Sequence, residues 1–180
     1  MNKGIYLGSY KAFHENHNIV YQDINGERDL DGDMLTIDLN PYDYIIATPP
    51  CNWWSRANYR KEESVYALKT KLLLPCILYK LILSGKPFIV ENVLNSIQFK
   101  KYQLDNLPGV KMVKIGRHTY WSNIEFKYDD IVQKPKTIIE NGKKKWLSSQ
   151  HLGRKDRQGT DEVHEVIERF INEVESWQHH

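Results

Sequence analysis

The features that this sequence lacks limit what kind of protein it can be. It has only two cysteines, Cys51 and Cys76, so it allows at most one disulfide. No apolar run approaches the roughly 20 residues of a membrane span, and the opening MNKGIYLGSYK lacks the apolar core of a signal peptide. A chain without an export signal keeps its thiols reduced. These absences predict a cytoplasmic protein with free thiols and no membrane partner.

An excess of one charge is missing as well. The 25 Lys and Arg residues nearly balance the 23 Asp and Glu residues, which leaves a formal net charge of +2. The positive charges cluster near residues 100, 143 and 153, whereas residues 161–180 are acidic. This balance permits a polyanionic partner without requiring one. The terminal His179 and His180 resemble the stub of an affinity tag, so they support no metal site, and none is predicted.

What is present indicates one globular domain with an alternating α/β pattern. A chain of 180 residues, 41% of them hydrophobic, can bury a proper core. Short apolar runs of strand length occur at 4–7, 18–23, 43–48, 87–92 and 110–116. Strands that alternate with helices predict a sheet with right-handed crossovers. Near the C-terminus, Asn141-Gly142 between strand-like residues predicts a hairpin over 137–147.

Two helices are predicted from the spacing of apolar residues. Between Glu62 and Leu83, apolar residues recur three and four positions apart, at Val65, Leu68, Leu72, Cys76, Tyr79 and Leu83. Pro75 should kink or divide this helix, and Gly85 should end it. The second helix should begin after Thr160 as N-cap and continue to Trp177.

Chemically active residues follow several of the predicted strands. Asp23 ends the second, Pro49-Pro50-Cys51 follow the third, and Glu91-Asn92 end the fourth. Taken singly, a cysteine after a strand is more often a small buried hydrophobe, and Pro-Pro more often stiffens a loop. The carboxyl ends of parallel strands meet at one edge of the sheet, however, and ligands bind at that edge. A thiolate nucleophile and a carboxylic acid at that edge predict a catalytic site.

These residues also carry a family resemblance. The segment PCNWWS at 50–55 resembles the fourth motif of the DNA (cytosine-5)-methyltransferases, and Glu91-Asn92-Val93 resembles their sixth. VYQDIN at 20–25, GDM at 32–34 and GRHTYWSN at 116–123 stand where the second, third and eighth motifs fall. The resemblance covers roughly residues 4–124 and is most specific from the fourth motif to the sixth.

The resemblance implies a fold and a reaction. The fold would be a Rossmann-like, class I S-adenosylmethionine-dependent methyltransferase sheet with flanking helices, reduced at the N-terminus, followed by a small hairpin and helix. Cys51 would add to carbon 6 of a flipped-out cytosine, Glu91 would hold the ring, and Arg117 would contact the cytosine carbonyl or its phosphate. Carbon 5 would then take the methyl group of S-adenosylmethionine.

The remaining roles carried over from the family concern the cofactor and DNA. Cofactor contacts would come from Gly8, Asp23, Asp33 and Pro49, and DNA contacts from Trp53, Ser55, Arg56 and His118. The whole chain, 1–180, would form a single domain, in which 126–159 is the only candidate DNA-contact insertion and 160–178 a C-terminal helix. Such a compact enzyme resembles phage-encoded ones that protect DNA from restriction.

Two alternatives to this interpretation stay open. The first motif keeps one matching glycine, Gly8, and residues 5–20 are too few for the family's helix. This favours a degenerate relative that binds DNA or protein without the cofactor. Thr48-Pro49-Pro50 also resembles the tetrad of amino-group methyltransferases, although Cys51 stands at its aromatic position. The target sequence, the form of the substrate and the oligomeric state are left undetermined by the sequence.

Overall fold

The protein has a seven-stranded mixed sheet with helices on both faces. The computed structural model describes residues 2–8, 14–24, 28–56, 58–131, 137–140, 143–146 and 158–177. The sheet consists of β1 (Gly4–Gly8), β2 (Ile19–Asp23), β3 (Leu30–Asp31), β4 (Tyr44–Thr48), β5 (Phe88–Val93), β6 (Lys111–Ile115) and β7 (His118–Ser122). The helices are α1 (Val65–Thr70), α2 (Leu73–Ser84), α3 (Ser96–Lys101) and α4 (Gln158–Ser176). This confirms the predicted α/β class.

The strand order is β3-β2-β1-β4-β5-β7-β6. The first five strands run parallel, and β7 is antiparallel to both β5 and β6. The chain turns back between β1 and β4, so their carboxyl ends form the switch point beyond which open α/β sheets bind ligands. The order is compatible with a Rossmann-like fold.

The central strands are apolar throughout because both of their faces are covered. Ile5 and Leu7 of β1 face one hydrophobic cluster, while Tyr6 faces the other. The same alternation holds along β4, where Ile45 and Ile46 point to opposite faces and both are fully buried. Strands buried on both faces are near-continuous apolar runs, which is why sequence patterns found β1 and β4 readily.

One face of the sheet is covered by α1 and α2. Ser64 caps α1 by accepting from the backbone N–H of Ala67 at 3.2 Å. The predicted division of the helix is confirmed: Pro75 has no N–H to donate to the Lys71 carbonyl, and α1 ends there. Gly85, with φ of 67°, ends α2 as predicted.

The side of α1 and α2 that packs on the sheet differs from the stripe that the spacing picks out. The buried residues are Ala67, Thr70, Leu74, Ile77, Leu78 and Leu81. The spaced residues from Val65 to Leu83 lie on the outside of the helix pair. An amphipathic helix normally turns its apolar stripe to the core. Here the helix pair has two apolar sides, and the sheet takes one of them.

The other face of the sheet is covered by α4. Its apolar stripe is buried as the spacing predicts, through Val163, Val166, Ile167, Phe170, Ile171 and Val174. The helix begins at Gln158, two residues before the predicted cap at Thr160. Glu168 fastens α4 to the β1–β2 link, because its carboxylate oxygens lie 2.6 Å from His14 Nδ1 and 2.7 Å from His17 Nε2. A second carboxylate, that of Glu175, lies 3.0 Å from His17 Nδ1.

The remaining elements include some that the patterns did not indicate. The predicted hairpin is confirmed as β8 (Thr137–Glu140) paired with β9 (Lys143–Trp146), although Asn141-Gly142 lie outside the described residues. So does much of the candidate DNA-contact insertion at 126–159. The strands β3 and β7 and the helix α3 were not predicted. Among the described helices, none has the length and apolar character needed to cross a membrane.

Candidate active site at the carboxyl ends of β4 and β5

The loop after β4 brings Cys51 to the edge of the sheet. β4 ends at Thr48, Pro49 is buried, and Cys51 is half-buried two residues later. The loop then closes on itself, because the backbone N–H of Ser55 donates to the Cys51 carbonyl at 2.7 Å. The thiol therefore lies at the carboxyl end of a central strand, with the partial exposure that a nucleophile requires.

Two buried asparagines fix this loop at both ends. Asn92 Nδ2 donates to the Pro49 carbonyl at 3.0 Å, and Asn95 Nδ2 donates to the Trp54 carbonyl at 2.6 Å. Both side chains come from the end of β5 and the turn that follows it. Asn95 also caps α3 by accepting from the backbone N–H of Gln98. A loop held in this way positions Cys51 on a rigid support before any substrate arrives.

The two tryptophans after Cys51 anchor the loop in the core. Both are buried, and the Trp54 ring packs against Phe99 and Tyr102 with centroids 5.6 and 5.2 Å apart. Trp53, expected among the DNA contacts, is likewise part of the hydrophobic cluster beneath α2. Two ammonium groups lie over its ring, Lys61 Nζ at 5.3 Å and Lys71 Nζ at 4.6 Å from the centroid. The two lysines therefore cover the Trp53 ring, and the ring is not exposed as a contact to DNA would require.

Glu91 is a buried carboxylate on the strand next to Cys51. The register pairs Ala47 of β4 with Val90 of β5. The next residues, Thr48 and Glu91, are therefore neighbours on the face that α4 covers. Cys51 follows Thr48 by three residues, so thiol and carboxylate approach the same edge from adjacent parallel strands. This is the arrangement that the sequence predicts for the pair.

His118 links Glu91 to α4. Its Nε2 lies 3.6 Å from Glu91 Oε1, and its Nδ1 lies 3.3 Å from Glu162 Oε1. The imidazole is buried, whereas the prediction placed it on DNA. An imidazole between two carboxylates can fix the orientation of the Glu91 side chain. Glu162 was not a candidate, because its contact with His118 joins residues 44 positions apart and leaves no local pattern.

The turn between β6 and β7 makes room for Glu162 and presents Arg117. Gly116 has φ of 55°, which favours glycine, and its lack of a side chain leaves room for the Glu162 carboxylate, whose Oε2 would lie 1.8 Å from a Cβ at this position. Arg117 is exposed next to it, and its carbonyl accepts from the backbone N–H of Leu94 at 2.9 Å. This bond ties the turn to the chain just after β5. Arg117 therefore stands at the same edge as Glu91.

Tyr120 completes the buried polar group on this face. Burial, reinforced by the charges of Glu91 and Glu162, raises the pKa of the Tyr120 hydroxyl far above its ordinary value. The phenol consequently stays protonated at physiological pH. Within the described part of the chain its oxygen has no hydrogen-bond partner. A buried neutral hydroxyl next to Glu91 adds a donor to this pocket without adding charge.

At the switch point, Gly8 allows the ends of β1 and β4 to pack closely against each other. It has φ of 94°, and a Cβ on it would lie 2.7 Å from the Thr48 carbonyl oxygen and 2.9 Å from Met34 Cε. Its backbone N–H donates at 3.2 Å to Gln22 Oε1, and Gln22 Nε2 donates to the Gly32 carbonyl. Gln22, which sequence reasoning missed, therefore joins three strand ends around the crevice.

The two predicted cofactor carboxylates lie along the same edge. Asp23 is half-buried at the end of β2, and Asp33 is exposed in the turn after β3, where its Oδ1 accepts from the backbone N–H of Leu35 at 2.9 Å. Lys80 of α2 braces that turn by donating to the carbonyls of Met34 and Leu35 at 3.2 and 2.9 Å. Burial lowers the pKa of Lys80. The structure thus places all four predicted cofactor residues at the carboxyl ends of β1, β2, β3 and β4.

Comparison with known proteins does not assign this edge a function. No protein-family model matches the chain, and no curated protein sequence matches it. The chemistry of the site has to be inferred from its own residues. They are a positioned thiol, a buried carboxylate with an imidazole behind it, and a crevice lined by backbone and acidic side chains.

Proposed function

We propose that this protein is an S-adenosylmethionine-dependent methyltransferase of the class I fold that methylates carbon 5 of cytosine in DNA. The observation that carries the proposal is the Cys51 loop, fixed at both ends by Asn92 and Asn95 and adjacent to the buried Glu91. The strand order supports the class, because class I methyltransferases also insert an antiparallel seventh strand between the fifth and sixth. A protein that only binds DNA has no need for this thiol and acid.

Cys51 and Glu91 would share the chemistry on the cytosine ring. The Cys51 thiolate would form a bond to carbon 6, and Glu91, as the carboxylic acid, would donate its proton to ring nitrogen 3 as electrons move onto that atom, while its other oxygen accepts from the exocyclic amine. Carbon 5 would then be nucleophilic enough to take the methyl group that the cofactor supplies, with S-adenosylhomocysteine as the leaving group. Loss of the proton from carbon 5 to a base would re-form the double bond and expel Cys51, and nitrogen 3 would return its proton to Glu91. His118 and Glu162 would keep Glu91 in place through these steps, as positioning residues.

S-adenosylmethionine would bind at the switch point between β1 and β4, beyond which open α/β sheets take ligands. The cofactor supplies an electrophilic methyl group when bound. Gly8, at the carboxyl end of β1, lies at this switch point. Asp23 would hold the ribose hydroxyls and Asp33 the adenine amine, and both carboxylates lie at strand ends on that edge. Pro49 would bring the backbone of the Cys51 loop beside the methyl donor.

DNA would be held mainly through its phosphates. Arg56 and Arg117 are exposed at the edge of the site, and Lys61 and Lys71 stand over Trp53 beside the Cys51 loop. Contacts of this kind position a duplex without reading its sequence. Binding should therefore weaken steeply with salt. Ser55, half-buried in the loop, is the remaining candidate contact to the flipped nucleotide.

Matched Glu→Gln variants test the proposal. Glu91→Gln should reduce methyl transfer to DNA by about 10²- to 10⁴-fold, the range for a lost proton-handling group, while S-adenosylmethionine affinity stays unchanged. Glu125→Gln, which removes an exposed carboxylate on the far side of the sheet, should change neither. Methyl transfer is measured with labelled cofactor, and affinity by calorimetry. Equal losses in both variants would contradict the role of Glu91.

One observation favours the alternative of a binding module without cofactor. In the link from β1 to β2, residues 14–18 form turns and bends rather than part of a helix. Calorimetry on the unaltered protein separates the two functions. Binding of S-adenosylmethionine supports the enzyme, whereas DNA binding without any cofactor binding would replace it with the module.

A further inference from the structure

The outer side of α1 and α2 carries an apolar stripe, here called the outer stripe, that the protein's own core does not use. It consists of Val65, Leu68, Leu72, Cys76, Tyr79 and Leu83. Their exposed fractions are 66% for Val65, 46% for Leu68, 60% for Leu72, 53% for Tyr79 and 85% for Leu83, and Cys76 is also exposed. Single exposed apolar residues are common, but a contiguous patch marks an interaction site.

The stripe is continuous along the two helices. Lys71 and Leu72, which lie between α1 and α2, keep right-handed helical backbone angles. The outer stripe therefore keeps nearly the same direction across the break between the two helices. The spacings of three, four, four, three and four residues keep all six side chains on one side of a helix. The sheet cannot also cover the outer stripe, because α2 already packs on the sheet with its opposite side, through the buried Leu74, Ile77, Leu78 and Leu81.

The pattern of the stripe is nearly the same when it is read backwards. Reversal about residue 74 exchanges Val65 with Leu83 and Leu72 with Cys76, and brings Leu68 to within one residue of Tyr79. A surface that is complementary to itself in the reverse direction suits a two-fold axis. We propose that the outer stripe is the interface of a homodimer, in which α1 and α2 of two copies pack antiparallel.

The size of the stripe is also sufficient. Six side chains, most of them at least half exposed, would bury on the order of 1,200 Å² over the two copies, the lower limit for a specific stable interface. The interface includes neither Cys51 nor Glu91, so the dimer does not depend on the proposed reaction.

Sedimentation velocity on the full chain over a range of concentrations tests the dimer. The unaltered protein should sediment as a dimer at micromolar concentration, and Leu72→Glu should be a monomer with unchanged circular dichroism. Ile97→Glu is the matched control: it places the same charge at an exposed apolar residue of α3, outside the stripe, and should remain dimeric. A monomeric unaltered protein would overturn the inference, since another part of the chain or another partner must then cover the stripe.

Cross-linking through Cys76 tests the antiparallel geometry. With the axis near residue 74, the two Cys76 side chains lie within about 10 Å of each other, given the helical rise and the usual interhelical distance. A short bismaleimide should therefore join two copies of a Cys51→Ser variant, and it should not join two copies of Cys76→Ser. A dimer that survives Leu72→Glu, or that fails to cross-link through Cys76, would show that the interface lies elsewhere.

Discussion

The helices α2 and α4 cover opposite faces of one sheet, and both were predicted from the same kind of apolar spacing. On α4 the spaced residues are the buried ones, from Val163 to Val174. On α2 the spaced residues are the exposed ones, and the buried residues stand between them. The same rule therefore found two real helices but indicated the core-facing side of only one of them.

The difference lies in what occupies the other side of each helix. The side of α4 away from the core is charged, and its Arg169 pairs with Glu165 and with Asp130 at 2.9 and 2.5 Å. The side of α2 that meets the core is as apolar as its outer stripe. Spacing identifies residues that share a face, and the contrast with the opposite face decides which face is buried. Where that contrast is missing, a second apolar partner is the physical expectation.

Substitution of two leucines of α2 tests which side of this helix is buried. Leu78→Ala should lower the free energy of unfolding by about 2–5 kcal/mol, because it empties a fully buried site. Leu83→Ala, at an exposed position of the outer stripe, should change it by less than about 0.5 kcal/mol. Denaturant unfolding at concentrations below the dimer transition measures both. A larger cost for Leu83→Ala would mean that α2 faces the sheet with its other side.

The pH dependence of stability should distinguish the two helices further, because histidine–glutamate pairs hold α4, whereas the titratable group described on α2 that braces the turn after β3 is Lys80. Burial lowers the pKa of His14, although the hydrogen bond with Glu168 opposes the shift. Burial acts to raise the pKa of Glu168, but the hydrogen bonds from His14 and His17 outweigh it and the net pKa is lowered. In both cases the unfolded chain binds protons more readily than the folded protein, so acid favours unfolding.

Stability should therefore be greatest above the ordinary histidine pKa of 6.5 and should fall as the pH drops below it. A further loss should follow below the ordinary glutamate value of 4.5. Urea unfolding from pH 8 to pH 4 measures this, and His14→Asn should remove the upper part of the loss. The cost of Leu78→Ala should stay constant over the same range. An unchanged pH profile in His14→Asn would show that the tie between α4 and the β1–β2 link contributes nothing.

Local patterns predicted the parts of the fold that have strong local signals. The buried strands β1, β4 and β5 are short runs rich in apolar residues, and α4 has one apolar face. β3 has two residues, too few for any periodicity, and α3 has only six. β7 consists of His118–Ser122, a polar and aromatic sequence whose burial comes from the strands on both sides of it. Its assignment depends on neighbours distant in sequence.

The candidate site divides in the same way. Cys51 and Glu91 could be predicted because each ends or follows an obvious strand and stands in a recognisable motif. Asn95, Gln22 and Glu162 could not, because each acts through a contact with a distant part of the chain. The position of Trp53 also escaped prediction. An aromatic residue after a nucleophile is equally compatible with a substrate wall and with a core anchor, and here it is a core anchor.

The central claim is that Cys51 forms a covalent bond to cytosine, and trapping that bond tests it most directly. DNA that contains 5-fluorocytosine cannot lose a proton from carbon 5 after methyl transfer, so the protein should remain attached. Incubation with this DNA and S-adenosylmethionine, followed by mass spectrometry, should place the adduct on the peptide that contains Cys51, and Cys51→Ser should form none. An adduct on Cys76, or no adduct while the cofactor is bound, would contradict the account.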